Sequence, residues 1–214
     1  LPQEFGLYPR STAERLLEHF AVLKGIGDRR TRRSVVDALL RQVNLDDVRT
    51  KKLGGFSGGM RQRFGVAVAL LGDPGLIIAD EPTAGLDPAE RVRFLNLLSE
   101  LGETSVVILS THIVEDVTDL CQRMAIMNKG QVLLAGKPAD AIAALNGQVW
   151  RRSVDKAALA QYQSQYQVLS TRLVGGQPMI HVFAGSDPGD GFERIDAGLE
   201  DVYFRQLRLQ QKAA

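Results

Sequence analysis

Cysteine is nearly absent from this chain: Cys121 is the one thiol among 214 residues. A single thiol excludes an internal disulfide framework and any multi-cysteine metal site, and it fits a reducing compartment. Long apolar runs are missing too. The longest stretch free of charged or strongly polar residues, 64–72, holds two glycines, and a spanning helix needs about 20 mostly apolar residues. The opening Leu-Pro-Gln-Glu has neither the basic start nor the apolar region of a secretory signal. Neither sign of charge dominates, with 26 Lys plus Arg against 25 Asp plus Glu, so nucleic acid is not expected as a partner. What remains is ordinary globular composition, 44% hydrophobic and 24% charged. That excludes a disordered or low-complexity chain, and the length suits one large domain or one domain with a small appendage.

The pattern along the chain is helical first and alternating afterwards. Ser11 and Thr12 offer N-caps to a helix over 11–24, in which Leu16, Leu17, Phe20 and Leu23 recur at helical spacing. A second amphipathic helix is expected over 31–43, with Val35, Val36, Leu39, Leu40 and Val43 on one face. Phe56-Ser57-Gly58-Gly59 leads into a third that runs to about Leu71 and stops at Gly72-Asp73-Pro74. Leu76-Ile77-Ile78-Ala79 then reads as a buried strand feeding the loop that begins Asp80-Glu81-Pro82. A helix from Pro88 to Leu101, a strand over 106–109, a helix from about Ile113 and a hairpin with an Asn-Lys-Gly turn follow. Alternating helices and buried strands predict an α/β layer. From about Gln148 the texture changes to short strands and helices, including a helix over 155–166 and a last one near 199–209. The expected domains are therefore 1–147 and a small α+β appendage, 148–214.

Three groups of residues carry chemistry. Asp80 and Glu81 end an apolar strand, where α/β sheets bind ligands. Asp80 suits a hydrated Mg²⁺, and Glu81 suits a general base acting on water. By itself the pair is equally well an acidic loop. Ser57, Gly58 and Gly59 stand at the mouth of a helix, where bare backbone N–H groups and the helix dipole favour an anion; in isolation they also read as a plain serine cap with flexible glycines. His112 follows the second strand, a place that raises its weight above that of a lone structural histidine. Gln3 carries no signal alone. Trp150, Tyr162, Tyr166, Tyr203 and Phe204 read as core or dimer contacts, Arg151-Arg152 as a solvated pair, and Cys121 as a small buried hydrophobe. Asp187, Asp190 and Glu193 lack the order of a calcium loop, and His19 and His181 carry no argument.

In this order and spacing the elements resemble the nucleotide-binding subunit of ATP-binding cassette (ABC) transporters. Gln3 in LPQEFGLYPR resembles the Q-loop and FSGGMRQR the signature motif. LIIADEPTAGLDP is similar to the Walker B strand with its glutamate and D-loop, and LSTHIVED to the switch-histidine segment. The tail, ending LEDVYFRQL, is similar to the C-terminal extension of the drug-export, daunorubicin-resistance-like branch. The resemblance implies a partial P-loop NTPase (RecA-like) core with a helical subdomain, followed by the α+β appendage.

It also implies roles. Two cassettes, here expected as a homodimer, would dimerise head-to-tail around ATP. Ser57, Gly58 and Gly59 would cradle the γ-phosphate held by the opposite chain, and Asp87 would sit at the seam. Asp80 would hold Mg²⁺, Glu81 would activate water and His112 would contact the γ-phosphate. Gln3 would sense Mg²⁺ and the attacking water, and residues 5–8 would face the coupling helix of a membrane permease. The implied location is the cytoplasmic face of the cell membrane, with the chain held there peripherally.

Two departures qualify the match. Phe56 and Met60 replace the commonest Leu and Gln of the signature, and no GxxxxGK[ST] loop occurs anywhere in the chain. That loop supplies the backbone nest and the lysine that grip the phosphates. The expectation is therefore a fragment of a longer cassette, one that binds ATP weakly and hydrolyses it negligibly by itself. A non-catalytic cassette remnant serving as an interaction module, or a non-transport ABC ATPase, are the alternatives.

Overall fold

The computed structural model describes residues 8–189 and 191–213, which divide into two compact units, one ending at His112 and the other beginning at Ile113. In the first, helix α1 (Ala13–Leu23) starts where extended Thr12 accepts a hydrogen bond from the Arg15 backbone N–H. Helix α2 (Arg29–Gln42) begins two residues before the expected start, because Asp28 takes the cap and accepts from the Thr31 N–H at 2.7 Å. Helix α3 (Gly58–Leu70) is capped by Ser57 and ends where Gly72 and Asp73 both adopt positive φ. The three helices pack on one another, burying Leu16, Leu17, Val36, Leu40 and Phe64. Arg49 fastens this layer from outside. Its guanidinium reaches Glu14 of α1 at 2.8 Å, Asp37 of α2, and Asp46 of a short 3-10 turn at 2.9 Å. The Arg49 bond holds the Asp37 carboxyl below its ordinary range, and the two carboxylates push the guanidinium the other way.

A β-α-β crossover completes the unit. Strand β1 (Leu76–Asp80), helix α4 (Pro88–Gly102) and strand β2 (Val106–Ser110) place β1 and β2 parallel, pairing Leu76 with Val106 and Asp80 with Ser110. Helix α4 has Pro88 at its first turn and buries Phe94, Leu97, Leu98 and Leu101. One expectation is corrected here: β1 is not buried on both faces. Ile77 and Ala79 are 3% and 0% exposed, whereas Leu76 and Ile78 are 50% and 55% exposed, as are Val106 and Ile108 at 62% and 50%. With side chains alternating across the strand, one face is covered and the other presents an apolar stripe leading to Asp80 and Ser110.

The second unit opens with helix α5 (Val114–Leu120), strands β3 (Met124–Asn128) and β4 (Gln131–Gly136), and helix α6 (Pro138–Ala143). The β3–β4 hairpin turns on Lys129 and Gly130, both at positive φ, the conformation a two-residue hairpin loop requires. Strand β5 (Val149–Ser153), helix α7 (Leu159–Gln165), strands β6 (Val168–Val174), β7 (Gln177–Phe183) and β8 (Glu193–Ile195), and helix α8 (Leu199–Ala213) follow. The four strands form an antiparallel sheet in the order β6-β7-β5-β8. Neighbouring residues on one strand serve opposite faces. Val149 and Leu169 join a core with Ile126, Leu145, Leu199 and Val202, while Trp150 and Val168 join a second with Ile180, Val182 and Phe192. Helix α6 and strand β8 were not legible as elements, and α7 is shorter than the expected 155–166. The residues before 148 share a core with those after it, so contacts group 113–147 with the tail although the sequence texture changes near 147.

Candidate functional site

The carboxyl ends of β1 and β2 carry two side-chain pairs, Ser110 with Asp80 and His112 with Glu81. The Ser110 hydroxyl donates to Asp80 Oδ1, and Asp80 remains exposed. The backbone then turns sharply: Glu81 has φ 45 and donates its N–H to the Ser110 carbonyl at 2.9 Å. A left-handed conformation in a non-glycine residue is uncommon and clusters at functional sites. It turns the Glu81 carboxylate toward His112, whose Nδ1 lies 2.7 Å from Oε2. That oxygen is shielded from solvent, while the imidazole is 74% exposed. The arrangement offers a carboxylate oriented by an imidazole, beside a second carboxylate open to solvent.

A second cluster lies at the mouth of α3. Ser57 Oγ accepts from the Met60 N–H at 3.2 Å, and Ser57 and Gly58 are exposed. Gly59 is buried, because a Cβ there would run into the Glu90 carboxylate. Glu90, in the first turn of α4, pairs with Arg63 of α3 and accepts from Arg93 at 2.7 Å. The Arg63 and Glu90 side chains are only 9% and 14% exposed. Asp87 caps α4 by accepting from the Glu90 N–H at 2.9 Å, and the turn before it is closed by Ala84 N–H to Glu81 O and Leu86 N–H to Thr83 O, each 3.2 Å.

Glu81 and His112 thus meet, Asp80 pairs instead with Ser110 at the end of the same strand, and Ser57, Gly58 and Gly59 share a helix mouth. Asp87 is tied to that mouth through Glu90. Gln3 and residues 5–7 lie outside the described residues, and Tyr8 is 67% exposed. Ser110, Arg63 and Glu90 were missed. Ser110 was legible as a hydroxyl ending a strand opposite Asp80, and Arg63 as a charge interrupting an apolar helix face. Glu90 had no signal beyond an acid in a first helical turn.

Several other expectations change. Arg152 is not solvated, since its guanidinium lies 5.0 Å over Tyr162 and 5.5 Å over Phe192, whereas Arg151 does pair with Glu193 at 2.7 Å in the open. Tyr162 and Tyr166 stack at 5.7 Å within this aromatic group. His181 does have a role: its Nδ1 is 2.8 Å from Asp201, which also accepts from the Gly198 N–H at the start of α8. Asp187 accepts from the Gly189 N–H at 2.8 Å, and Asp190 lies outside the described residues. Cys121 is half-buried rather than buried, and burial pushes its thiol pKa up. No group of acids, histidines and cysteines able to hold a metal by itself, and no helix long and apolar enough to cross a membrane, occurs among the described residues.

Residues 1–84 match the family described as ABC transporter. The uncharacterized ABC transporter ATP-binding protein YxlF of Bacillus subtilis (strain 168) is 36% identical over 64% of this chain and 46% of its own length. The linearmycin resistance ATP-binding protein LnrL of the same organism is 34% identical over 69% of this chain and 47% of its own. The ABC transporter ATP-binding protein NatA, also from that strain, is 36% identical over 62% and 54%. The chain spans about half the length of these relatives.

Proposed function

Because residues 1–84 match the ABC transporter family and the chain is similar to ABC transporter ATP-binding proteins, we propose that it is part of the ATP-binding subunit of an exporter, in which residues 1–147 belong to the nucleotide-binding domain and 148–214 are accessory. One observation carries the reading: the bent backbone at Glu81 that sets its carboxylate against His112, next to the exposed Asp80. Asp80 fits a hydrated Mg²⁺, being open to solvent and oriented by Ser110 rather than neutralised by a cation. Bound Mg-ATP would supply the phosphoanhydride and the positive charge that offsets its oxygens. Glu81 accepts the proton of the attacking water, and His112 orients that carboxylate and reaches toward the γ-phosphate. Ser57, Gly58 and Gly59 present backbone N–H groups to a triphosphate held by a second, identical cassette. Asp87 lies at the seam, and Gln3 relays occupancy to a membrane permease from the cytoplasmic side.

The phosphate-gripping loop is absent from the sequence, so the chain alone is expected to bind ATP weakly and turn it over negligibly. Fusing a strand–GxxxxGK[ST]–helix segment to this chain tests the reading. The fusion should gain Mg-dependent ATPase activity, and Glu81→Gln should trap an ATP-bound dimer. A fusion that binds Mg-ATP yet stays monomeric with Glu81→Gln would leave only the non-catalytic module.

A further inference from the structure

The corner between α1 and α2 carries a surface that the nucleotide reading leaves unused. Helix α1 ends with Val22 and Leu23 facing solvent, 49% and 68% exposed. Lys24 follows, and after Asp28 helix α2 opens with Arg29, Arg30, Arg32 and Arg33. Lys24, Arg29, Arg30 and Arg33 are all exposed. Arg32 is used internally, donating from Nη1 to the carbonyls of Ile26 at 3.2 Å and Gly27 at 2.9 Å, which holds the connecting loop in place. The one acid within 22–33 is Asp28, whose carboxylate is engaged by the Thr31 N–H. Five basic residues against one acid give this segment a formal charge of +4, in a chain whose total is +1.

The placement opposes helix stability. No acid occupies the first turn of α2, where the macrodipole favours carboxylates and disfavours arginines. The dipole instead adds to the positive potential of the corner. Such a patch suits phosphate-bearing surfaces, and the two aliphatic side chains beside it decide among them. A sugar–phosphate backbone has no use for exposed Val22 and Leu23. A bilayer takes both, aliphatic side chains at the acyl boundary and guanidinium groups on headgroup phosphates.

We propose that the α1–α2 corner, Val22, Leu23, Lys24, Arg29, Arg30 and Arg33, is a contact surface for the anionic phospholipid face of a membrane. The contact requires no nucleotide and no second cassette, so it stands or falls separately from the ATP site.

Co-sedimentation of the 214-residue chain with vesicles tests it. Vesicles of phosphatidylcholine mixed with phosphatidylglycerol should bind the chain, and phosphatidylcholine alone should not. Added salt should weaken the binding as charges are screened. Each basic residue near an anionic surface is worth about a fivefold change in partitioning. Arg29→Gln, Arg30→Gln and Arg33→Gln together should therefore lower the partition coefficient roughly 100-fold, with an unchanged circular dichroism spectrum because Arg32 is kept. Val22→Ser with Leu23→Ser should remove the binding that survives at high salt, and this variant spares every arginine should the triple variant misfold. Arg123→Gln, Lys129→Gln and Lys156→Gln, which remove the same charge from exposed positions elsewhere, should change little. Equal binding to neutral vesicles, equal loss in that control, or tighter binding to duplex DNA than to anionic vesicles would overturn the proposal.

Discussion

Gly59 lies so close against the Glu90 carboxylate that a methyl group on residue 59 has no room. The contact joins the mouth of α3 to the first turn of α4, where Asp87 caps and Glu90 also neutralises the buried Arg63. The glycine at this position is therefore explained by packing, apart from any role toward a phosphate.

Gly59→Ala should destabilise the unit by about 1–3 kcal/mol, the usual cost of forcing atoms into a filled site. Glu90→Ala should cost about 3–5 kcal/mol, since it leaves Arg63 buried without a counter-charge. The two together should cost less than their sum, because the second removes what the first collides with. Chemical denaturation of the four proteins checks this, and strict additivity would contradict the contact.

Asp37 should make stability depend on pH. Arg49 holds the folded carboxyl below its ordinary value, so the stabilisation is complete above the ordinary carboxylate range and disappears as pH falls through the lowered one. Asp37→Asn should be less stable at neutral pH, by about 1 kcal/mol for a partly exposed pair. The melting curves of parent and variant, followed down in pH, should converge in acid and nowhere above.

Glu81 and His112 should separate kinetically in the fusion that carries a GxxxxGK[ST] segment. Glu81→Gln is expected to lower kcat by about 10²–10⁴-fold, the range for removing a general base, while ATP binding persists. His112→Ala frees the carboxylate it orients and should lower kcat with little change in KM. A change confined to KM would assign the histidine to binding alone.

Cys121 should react slowly. Burial, with a smaller contribution from Asp116, raises its pKa, so at neutral pH less thiolate is present than in a free cysteine. Its alkylation rate should rise through a midpoint above that of a model thiol, and unfolding the chain should bring the two midpoints together.

Much of the organisation is local physics and was legible without coordinates. Thr12 and Ser57 cap helices because their side chains reach a backbone N–H three residues on, and Asp87, not read as a cap, does the same for α4. Lys129-Gly130 turns a hairpin for an equally local reason. The three-residue strand β8 was invisible because its pairing partner, β5, lies more than forty residues away in sequence, and so short a run carries little periodicity of its own.

The chemical residues divide along the same line. Residue types and spacing by themselves determined which side chains to watch: Asp80, Glu81, His112 and the Ser57-Gly58-Gly59 run. Only the tertiary structure decided that Glu81 bends back onto His112, that Ser110 orients Asp80, and that Glu90 fills the space a side chain on residue 59 would need. It also decided that one face of β1 is bare, since a run of Leu, Ile and Ala looks the same whether or not anything packs against it. Caps and turns are settled within a few bonds; contacts between distant segments depend on how the whole chain closes.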